Sequence, residues 1–378
     1  MDKKLHLETL AIHGGMEKDA ATGAIVPPVQ RSTIFEHGEG GMLETDFSYT
    51  RQDNPNRRQL ERQLTILEQG EDCATFASGV AATAAVFQAL EPGDHVLLPD
   101  DVYHGTRKLV THFMKKWGLN YSLADMSRPE VVEQNIRPET RLIWIESPSN
   151  PLLLITDIPA IVDIARKRNI VVCVDNTWPT PVNQQPLDLG ADLVVHSTTK
   201  YFGGHSDILG GAVIAGENTE IFPKIREIQI MTGAVPSPDD CWLLSRSIRS
   251  LPYRMKGHNE HAMQIARFLS DHPKIADVFY PGLESNPGHE VAARQMKAFG
   301  GMISFTVKGK ADEALKVVAG SQIVAKATSL GGVESTWEHR LSSEGEDSTT
   351  PDNLIRLSVG LEHPDDIQDD IARALESI

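Results

Sequence analysis

The fold is decided by Ile170-Val171-Val172-Cys173-Val174-Asp175, an unbroken apolar run that ends in a carboxylate. A continuous apolar run of this kind indicates a strand covered by helices on both faces, whereas alternating polarity is typical of a half-exposed strand. Five further short runs alternate with helical patterns between residues 71 and 216, as in a parallel α/β fold. We predict these strands at Ala74-Thr75-Phe76, His95-Val96-Leu97-Leu98, Leu142-Ile143-Trp144-Ile145, Leu193-Val194-Val195 and Ala212-Val213-Ile214-Ala215.

Three regions are predicted along the chain. Residues 1–50 are irregular and rich in Gly and Pro, and we expect an extended segment that wraps over the main domain or over a partner subunit. Residues 51–236 form a predicted large α/β domain. Residues 237–378 contain a long helical pattern from Tyr253 to Leu269 and two strand-like runs, at 300–305 and 354–359. This combination predicts a smaller α+β domain.

Composition and charge exclude several classes of partner. Lys and Arg number 36 and Asp and Glu number 52, so the formal charge is −16, which repels nucleic acid and anionic lipid surfaces. No stretch approaches the roughly 18 apolar residues of a membrane-spanning helix, and no apolar signal region follows Met1, so we expect a cytoplasmic protein. The three cysteines stand apart from one another and from any histidine cluster, which predicts buried thiols and no metal site.

The residues after the strand at 193–195 give the first indication of chemistry. They read His196-Ser197-Thr198-Thr199-Lys200. A lysine at the mouth of a buried strand is desolvated, which lowers its pKa and leaves its amine free to form a Schiff base. The hydroxyls of Ser197 and Thr199 can donate to a phosphate. Taken alone, the segment also fits a solvated loop lysine.

Asp175 ends the most apolar strand of the chain, where a carboxylate needs a cationic partner. A protonated pyridine nitrogen is one candidate partner, and a magnesium ion or a ribose in a nucleotide-binding fold is the other. The glycine patterns of nucleotide-binding turns, GxGxxG and GxxxxGK[ST], do not occur at a strand-to-helix turn. The first such turn is instead Ser78-Gly79-Val80-Ala81-Ala82, whose backbone N–H groups suit a single phosphate.

Two further side chains are candidates for the same site. Tyr103 follows the second predicted strand, where its ring can stack on a planar cofactor and its hydroxyl can transfer protons; core packing is the alternative. Arg356 shares a predicted strand face with Ser358 and can bind a substrate carboxylate with two parallel hydrogen bonds. Its alternative is an exposed surface arginine.

Six segments, in order over nearly the whole chain, carry a resemblance to a known family. They are Ser78-Gly79-Val80-Ala81-Ala82, Glu146-Ser147-Pro148-Ser149-Asn150-Pro151, Val174-Asp175-Asn176-Thr177, His196-Ser197-Thr198-Thr199-Lys200-Tyr201 with Gly204-His205-Ser206-Asp207, Ser329-Leu330-Gly331-Gly332-Val333-Glu334-Ser335, and Arg356-Leu357-Ser358-Val359-Gly360. These segments resemble the trans-sulfuration enzymes of Cys/Met metabolism, most of all cystathionine γ-synthase and γ-lyase.

The resemblance implies a fold-type I transferase with a mostly parallel sheet covered by helices, a smaller α+β C-terminal domain and pyridoxal 5′-phosphate (PLP) as cofactor. It also implies a small amino-acid substrate and a homotetramer made of two active dimers. Lys200 would hold the cofactor aldehyde, Asp175 would pair with the pyridine nitrogen, and Tyr103 would stack on the ring and move protons. The remaining implied ligands are Gly79, Val80, Ser197 and Thr199 for the phosphate, Tyr49 and Arg51 for the phosphate of the neighbouring subunit, and Asn150, Ser329, Arg356 and Tyr49 for the substrate and cofactor oxygen.

A few positions depart from the family pattern and bear on the substrate. Ser48 and Thr328 stand where cystathionine-handling members often carry acidic residues, so a distal ammonium group would lose two carboxylate partners. His104 and Lys108 replace a frequent Gly and Arg, and Gly105 stands where methionine γ-lyases often carry a Cys.

Several functions therefore stay open. Cystathionine γ-synthase or γ-lyase chemistry is our leading hypothesis, because the segment from Ser329 to Gly360 looks most like that group. Cystathionine β-lyase or an O-acetyl- or O-succinylhomoserine sulfhydrylase is the alternative, followed by methionine γ-lyase. Two other classes fit the α/β pattern alone: a nucleotide-dependent oxidoreductase, and a binding protein without catalytic activity.

Overall fold

The computed structural model describes residues 5–43, 45–344 and 350–378. Within that part of the chain, a seven-stranded sheet has the order β1-β7-β6-β5-β4-β2-β3. Its strands are β1 Asp72–Phe76, β2 His95–Pro99, β3 Asn120–Ala124, β4 Thr140–Glu146, β5 Val171–Asp175, β6 Leu193–His196 and β7 Gly211–Ala215. The six strands predicted from apolar runs all form.

This sheet is mostly parallel, as predicted. The neighbouring pairs β3–β2, β2–β4, β4–β5 and β5–β6 are parallel. Only β7 pairs antiparallel, with β6 on one side and β1 on the other. Parallel pairing brings the carboxyl ends of β4 and β5 to one edge, where Glu146 lies opposite Asp175. Ligand sites of such sheets form at this edge.

Two of the helices that precede or connect the strands of this sheet begin with an N-capping side chain. Asn54 accepts the backbone N–H of Asn56 just before Pro55, and Asp157 accepts that of Ala160. Both are N-cap hydrogen bonds, which satisfy backbone donors that have no partner within the helix. These helices are α1 Leu7–His13, α2 Pro55–Glu68, α3 Gly79–Gln88, α4 His104–Lys108, α5 Pro129–Asn135, α6 Ile158–Arg166, α7 Thr180–Asn183 and α8 Phe222–Thr232.

Two apolar clusters cover the two faces of the seven-stranded sheet. Trp144 and Cys173 belong to the cluster that includes α3 and α8, and their strand neighbours Ile143 and Val172 belong to the cluster that includes α6. Successive residues of β4 and β5 thus point to opposite buried faces, which explains why these strands lack polar alternation. The three cysteines are buried, as predicted.

A second sheet of five strands follows, with the order β10-β11-β12-β9-β8. Its strands are β8 Ile275–Phe279, β9 Met302–Val307, β10 Ala325–Lys326, β11 Thr336–His339 and β12 Leu354–Ser358, and the accompanying helices are α9 Pro238–Ile248, α10 Leu251–Asp271, α11 His289–Gln295, α12 Ala311–Gly320, α13 Arg340–Glu344 and α14 Pro364–Leu375. β11 and β12 are antiparallel, with Glu338 directly opposite Arg356. This register places a carboxylate beside the predicted substrate-binding arginine.

Several elements of the structure were not predicted from the sequence. β3 is a half-buried edge strand whose sequence, Asn-Tyr-Ser-Leu-Ala, contains no apolar run. The helix Leu7–His13 forms inside the segment expected to be extended, where it contacts α2 and α10. Among the described helices, none combines the length and the apolar character needed to cross a bilayer.

Candidate functional site

A cavity lies at the sheet edge where β4, β5 and β6 end, and loops from the second sheet close its other side. The cavity is therefore lined by segments that are distant in sequence. The ends of the parallel strands form one side, and the chain around β11 and β12 forms the other. Of the predicted site residues, those that line this cavity are Gly79, Val80, Tyr103, Asn150, Asp175, Ser197, Thr199, Lys200, Ser329 and Arg356.

Lys200 lies in the turn that follows β6, and its Nζ donates a hydrogen bond to Ser329 Oγ at 2.6 Å. Burial lowers the pKa of the Lys200 amine to about 8, and the positive charge of Arg356 contributes to the shift. Desolvation and a nearby cation both disfavour the ammonium form. The amine is therefore partly unprotonated near neutral pH, which is the state that attacks an aldehyde.

Ser329 is held in a conformation that few non-glycine residues adopt. Its φ is 79°, in the left-handed region. Such a conformation costs about 1–3 kcal/mol and persists only where the surroundings impose it. Here it turns the Ser329 hydroxyl toward the Lys200 amine while the Ser329 carbonyl accepts a hydrogen bond from Arg356 Nη2 at 3.4 Å.

The carboxylate of Asp175 fits the predicted partner of a pyridinium nitrogen. Burial raises its pKa, and the backbone N–H of Thr177, 3.0 Å from Oδ1, opposes that shift. Within the described part of the chain, no Lys or Arg forms an ion pair with Asp175. A partly buried carboxylate without a cation favours a cationic ligand, and a protonated ring nitrogen facing it would supply the charge.

The start of α3 and the turn after β6 form a cradle for an anion. Ser78 caps α3 by accepting the backbone N–H of Ala81. A Cβ at Gly79 would lie 2.7 Å from the Ser197 Cβ, so only glycine allows this approach. Thr199 Oγ1 accepts the backbone N–H of Gly210 at 3.0 Å and donates to the Gly210 carbonyl at 3.3 Å, which holds the hydroxyl at this turn. Helix N–H groups and two hydroxyls at one place fit the phosphate of PLP.

Tyr103 is positioned by its backbone, because its N–H donates to Glu146 Oε2 at 3.0 Å. Its ring meets the His104 ring edge-on, with centroids 4.6 Å apart. Burial raises the pKa of the Tyr103 hydroxyl, which keeps the phenol protonated at neutral pH. A Cβ on Gly105 would lie 2.4 Å from a Tyr103 ring carbon, so a side chain at position 105 is incompatible with this position of the ring.

Arg356 is buried, with 4% of its surface exposed, so the alternative of a surface arginine is wrong. Its Nη1 donates to Asn150 Oδ1 at 3.0 Å, and its Nη2 lies 2.5 Å from Glu338 Oε1. Burial lowers the pKa of the guanidinium to about 10, helped by the charge of Arg340. Arg356 and Asn150 thus form a fixed donor group beside Lys200.

Three residues of this site had no role predicted for them: Glu146, which was identified only as part of a family segment, and Glu338 and Arg340, which were not identified at all. Glu146 is buried beneath Tyr103, and burial raises its pKa strongly, with a further contribution from Asp175. Glu338 and Arg340 adjoin Arg356 only because β11 pairs with β12. A single sequence contains no signal for that register, and Thr336-Trp337-Glu338-His339 has neither an apolar run nor the alternation that would indicate a strand.

Tyr49 and Arg51 lie outside the cavity of their own chain. Tyr49 is 40% exposed, and Arg51 Nη1 donates to the carbonyl of Ile230 at 2.6 Å. The guanidinium of Arg51 also lies 5.7 Å from the centroid of the Tyr49 ring. A single chain therefore does not bring these two side chains to the Lys200 site.

Comparisons with known proteins agree with this geometry. Residues 8–376 match the family of Cys/Met metabolism PLP-dependent enzymes. Cystathionine γ-synthase of Mycobacterium tuberculosis (strain H37Rv) is 44% identical over 373 residues, which cover 97% of this chain and 96% of the relative. Cystathionine β-lyase of Coxiella burnetii is 40% identical over 383 residues, which cover 99% of each protein.

The fold also has solved counterparts. The crystal structure of metB from Corynebacterium glutamicum superposes with a TM-score of 0.96 at 40% identity, covering 99% of this chain and 98% of that one. The predicted fold type I, the trans-sulfuration chemistry and the PLP cofactor are thereby confirmed, and the oxidoreductase and the inactive binding protein are set aside. The chain belongs to the Cys/Met metabolism PLP-dependent enzymes and is a trans-sulfuration enzyme of that family.

Proposed function

We propose that the enzyme acts at the γ-carbon of a homoserine-derived or sulfur-containing amino acid, and that γ-replacement of the cystathionine γ-synthase type is its leading reaction. The observation that carries this proposal is the double role of Ser329. Its hydroxyl contacts the Lys200 amine at 2.6 Å, and its carbonyl contacts Arg356 at 3.4 Å. The reactive amine and the arginine proposed to bind the carboxylate thus both contact Ser329, so the α-amino and α-carboxylate groups of one amino acid can be held side by side.

Arg356 and Asn150 would bind the α-carboxylate of the substrate. A planar guanidinium can hold both carboxylate oxygens, which sets the orientation of Cα as well as its position. The hydrogen bond from Arg356 to Asn150 Oδ1 limits rotation of the guanidinium before the substrate arrives. Such preorganisation raises the rate because the reacting groups need no further ordering.

Lys200 and Tyr103 would move the protons. The low pKa of the Lys200 amine allows it to accept a proton from Cα near neutral pH. The Tyr103 hydroxyl, protonated because burial raises its pKa, would donate to a departing group. Both side chains line the same cavity, so both can reach a substrate bound there.

PLP, when bound, supplies a ring that withdraws electrons from Cα. Asp175 would hold the charge on its pyridine nitrogen, and the backbone of Gly79 and Val80 with the hydroxyls of Ser197 and Thr199 would hold its phosphate. Two observations support the fit of these residues to the cofactor. The Asp175 carboxylate has no Lys or Arg as an ion-pair partner within the described residues, and only a glycine at position 79 allows the backbone of α3 to come so close to Ser197.

The active assembly is proposed to be a homotetramer of two active dimers in the cytoplasm. The support is that Tyr49 and Arg51 carry aromatic and cationic groups at the surface, outside their own site. In a dimer they would complete the phosphate site of the neighbouring subunit, and Tyr49 would also reach its substrate. Mixing Arg51→Ala subunits with Lys200→Ala subunits tests this arrangement, because a shared site would restore one functional site in each mixed dimer.

The competing subfamilies differ in their products. Sulfide incorporation into a homoserine ester indicates a sulfhydrylase, release of 2-oxobutanoate indicates a γ-lyase, and release of pyruvate from cystathionine indicates a β-lyase. Purified enzyme incubated with O-acetyl- and O-succinyl-homoserine plus either cysteine or sulfide, with cystathionine, and with methionine separates these cases. Formation of cystathionine as the main product supports our proposal, whereas pyruvate as the main product contradicts it.

A further inference from the structure

A second arginine, Arg340, lies on the wall of the same cavity and has no role in the function proposed so far. Only 1% of its surface is exposed. Its Nη1 donates to Glu338 Oε1 at 2.7 Å, its Nε to Glu344 Oε1 at 2.7 Å, and its Nη2 to His104 Nδ1 at 3.2 Å. Such a buried cation requires compensation, and its position beside Arg356 suggests a functional reason for it.

The oxygen that Arg340 contacts is also the oxygen that Arg356 contacts. Glu338 Oε1 lies 2.7 Å from Arg340 Nη1 and 2.5 Å from Arg356 Nη2. The other oxygen, Oε2, accepts a hydrogen bond from Ser343 Oγ at 2.7 Å. Burial would raise the pKa of Glu338, but the two arginines hold it below its usual value, so the bridge is an ionised carboxylate.

The charges of this trio explain why two arginines are present. Arg356 paired with Glu338 alone would be neutral, and Glu338 would compete with the substrate for the same guanidinium. A second guanidinium on the same oxygen gives the trio two positive charges and one negative charge. Glu344 balances Arg340 from its Nε side, away from the Nη1 that contacts Glu338. With Glu344 included the four charges sum to zero, so the effect of Arg340 is to share Glu338 with Arg356 and thereby weaken the competition of Glu338 with an incoming anion.

Arg340 is itself firmly placed. Burial lowers the pKa of His104, and the positive charge of Arg340 adds to the shift, so the imidazole is neutral and its Nδ1 can accept from Arg340. The His104 ring also packs against Tyr103. Arg340 consequently connects the Tyr103 segment with the strand pair that carries Arg356 and Glu338.

We propose that Arg340 is a positioning residue that retains Glu338 when the α-carboxylate of the substrate takes over Arg356. Before binding, Glu338 bridges the two arginines. When the substrate carboxylate binds, Arg356 turns its Nη2 to the substrate and Glu338 stays paired with Arg340, so no buried charge is left alone. This inference rests on the proposed role of Arg356 as the carboxylate ligand.

The test compares two ligands that differ only in the α-carboxylate, L-norleucine and pentylamine. Neither carries a leaving group, so each binds without turnover, and binding is followed by the change in visible absorbance of the holoenzyme. Arg340→Gln should weaken norleucine binding by about ten- to a hundredfold and leave pentylamine binding unchanged. Arg340→Lys, which keeps the charge, should recover part of the loss.

A double variant separates positioning from simple structural damage. If Arg340 serves to retain Glu338, then Arg340→Gln combined with Glu338→Gln should bind norleucine better than Arg340→Gln alone, because no carboxylate then competes for Arg356. Equal weakening of both ligands, or no recovery in the double variant, would overturn the inference. Should Arg340→Gln fold poorly, the Arg340→Lys variant and the double variant still decide the question.

The Arg356→Gln variant distinguishes failure of this inference from failure of the proposed function. Loss of the preference for norleucine over pentylamine in Arg356→Gln supports the proposed carboxylate site. If Arg356→Gln loses that preference and Arg340→Gln retains it, the positioning role alone is wrong. If Arg356→Gln also retains it, the carboxylate site and the positioning role are both wrong.

Discussion

The pKa of Lys200 leads to a prediction about how fast the apoenzyme captures its cofactor. Only the unprotonated amine attacks the aldehyde of PLP, so the capture rate follows the fraction of free amine. Burial and the nearby Arg356 lower the pKa of the Lys200 amine to about 8. Because both effects disfavour the ammonium form, removing the charge of Arg356 should move the pKa upward.

The expected magnitude follows from the titration of one group. With a pKa of about 8, roughly one-tenth of the amine is free at pH 7, whereas an ordinary lysine with a pKa near 10.4 would have only about 0.04% free. The local surroundings therefore accelerate capture about 200- to 300-fold at that pH. Below pH 8 the rate should rise tenfold for each pH unit, and above it the rate should level off.

Stopped-flow absorbance of apoenzyme mixed with PLP over about pH 6 to 10 measures this profile. Pyridoxal, which lacks the phosphate, serves as a control for titration of the cofactor's own phosphate. In Arg356→Gln the bend in the profile should lie at a higher pH than in the wild type. A wild-type bend near the pH of an ordinary lysine, or an unchanged bend in Arg356→Gln, would refute the reasoning.

Three other changes test separate parts of the structure. Asp175→Asn should retain the visible absorbance of the bound cofactor but lower kcat by about a hundredfold or more, because the ring nitrogen loses its negatively charged partner. Turnover near the wild-type level would contradict the proposed role of Asp175. Gly79→Ala should weaken PLP binding in equilibrium titrations by about tenfold or more, because its Cβ would lie 2.7 Å from the Ser197 Cβ. Gly216→Ala, whose Cβ would come no closer than 3.4 Å to a neighbouring atom, should bind PLP as the wild type does. Asp370→Asn should lower the free energy of unfolding by about 2 kcal/mol at neutral pH, because Ser321 and three backbone N–H groups lower the pKa of Asp370 to about 2 despite its burial. A carboxylate whose pKa is lower in the folded than in the unfolded protein stabilises the fold at pH values above its unfolded-state pKa. The difference in unfolding free energy between wild type and variant should therefore vanish as the pH falls from about 4 to 2. A difference that does not change with pH would argue against this role of Asp370.

The central sheet could be predicted because its strands are buried on both faces. β4, β5 and β6 each contain a continuous apolar run that ends in a polar residue at the ligand edge. The positions of Lys200 and Asp175 at one cavity follow from parallel pairing, since parallel strands end at the same edge. The local sequence pattern was sufficient to predict these strands, because few other structures place a continuous apolar run directly before a polar residue.

The interactions between the two sheets could not be predicted in this way. Glu338 adjoins Arg356 through the register of β11 with β12, and Arg340 reaches His104 across 236 residues of chain. Long-range side-chain contacts of this kind depend on how elements pack, and periodicity within one element carries no information about that packing. β3 was missed for a different reason, because an edge strand needs neither an apolar run nor strict alternation.

The most direct test of the account is to find which residue carries the cofactor. Borohydride treatment of the holoenzyme fixes a lysine-bound PLP as a stable secondary amine, and proteolysis with mass spectrometry then locates the labelled peptide. We expect the label on the peptide that contains Lys200, with loss of the visible absorbance. A label on another lysine, or no covalent label on enzyme that contains bound PLP, would contradict the account.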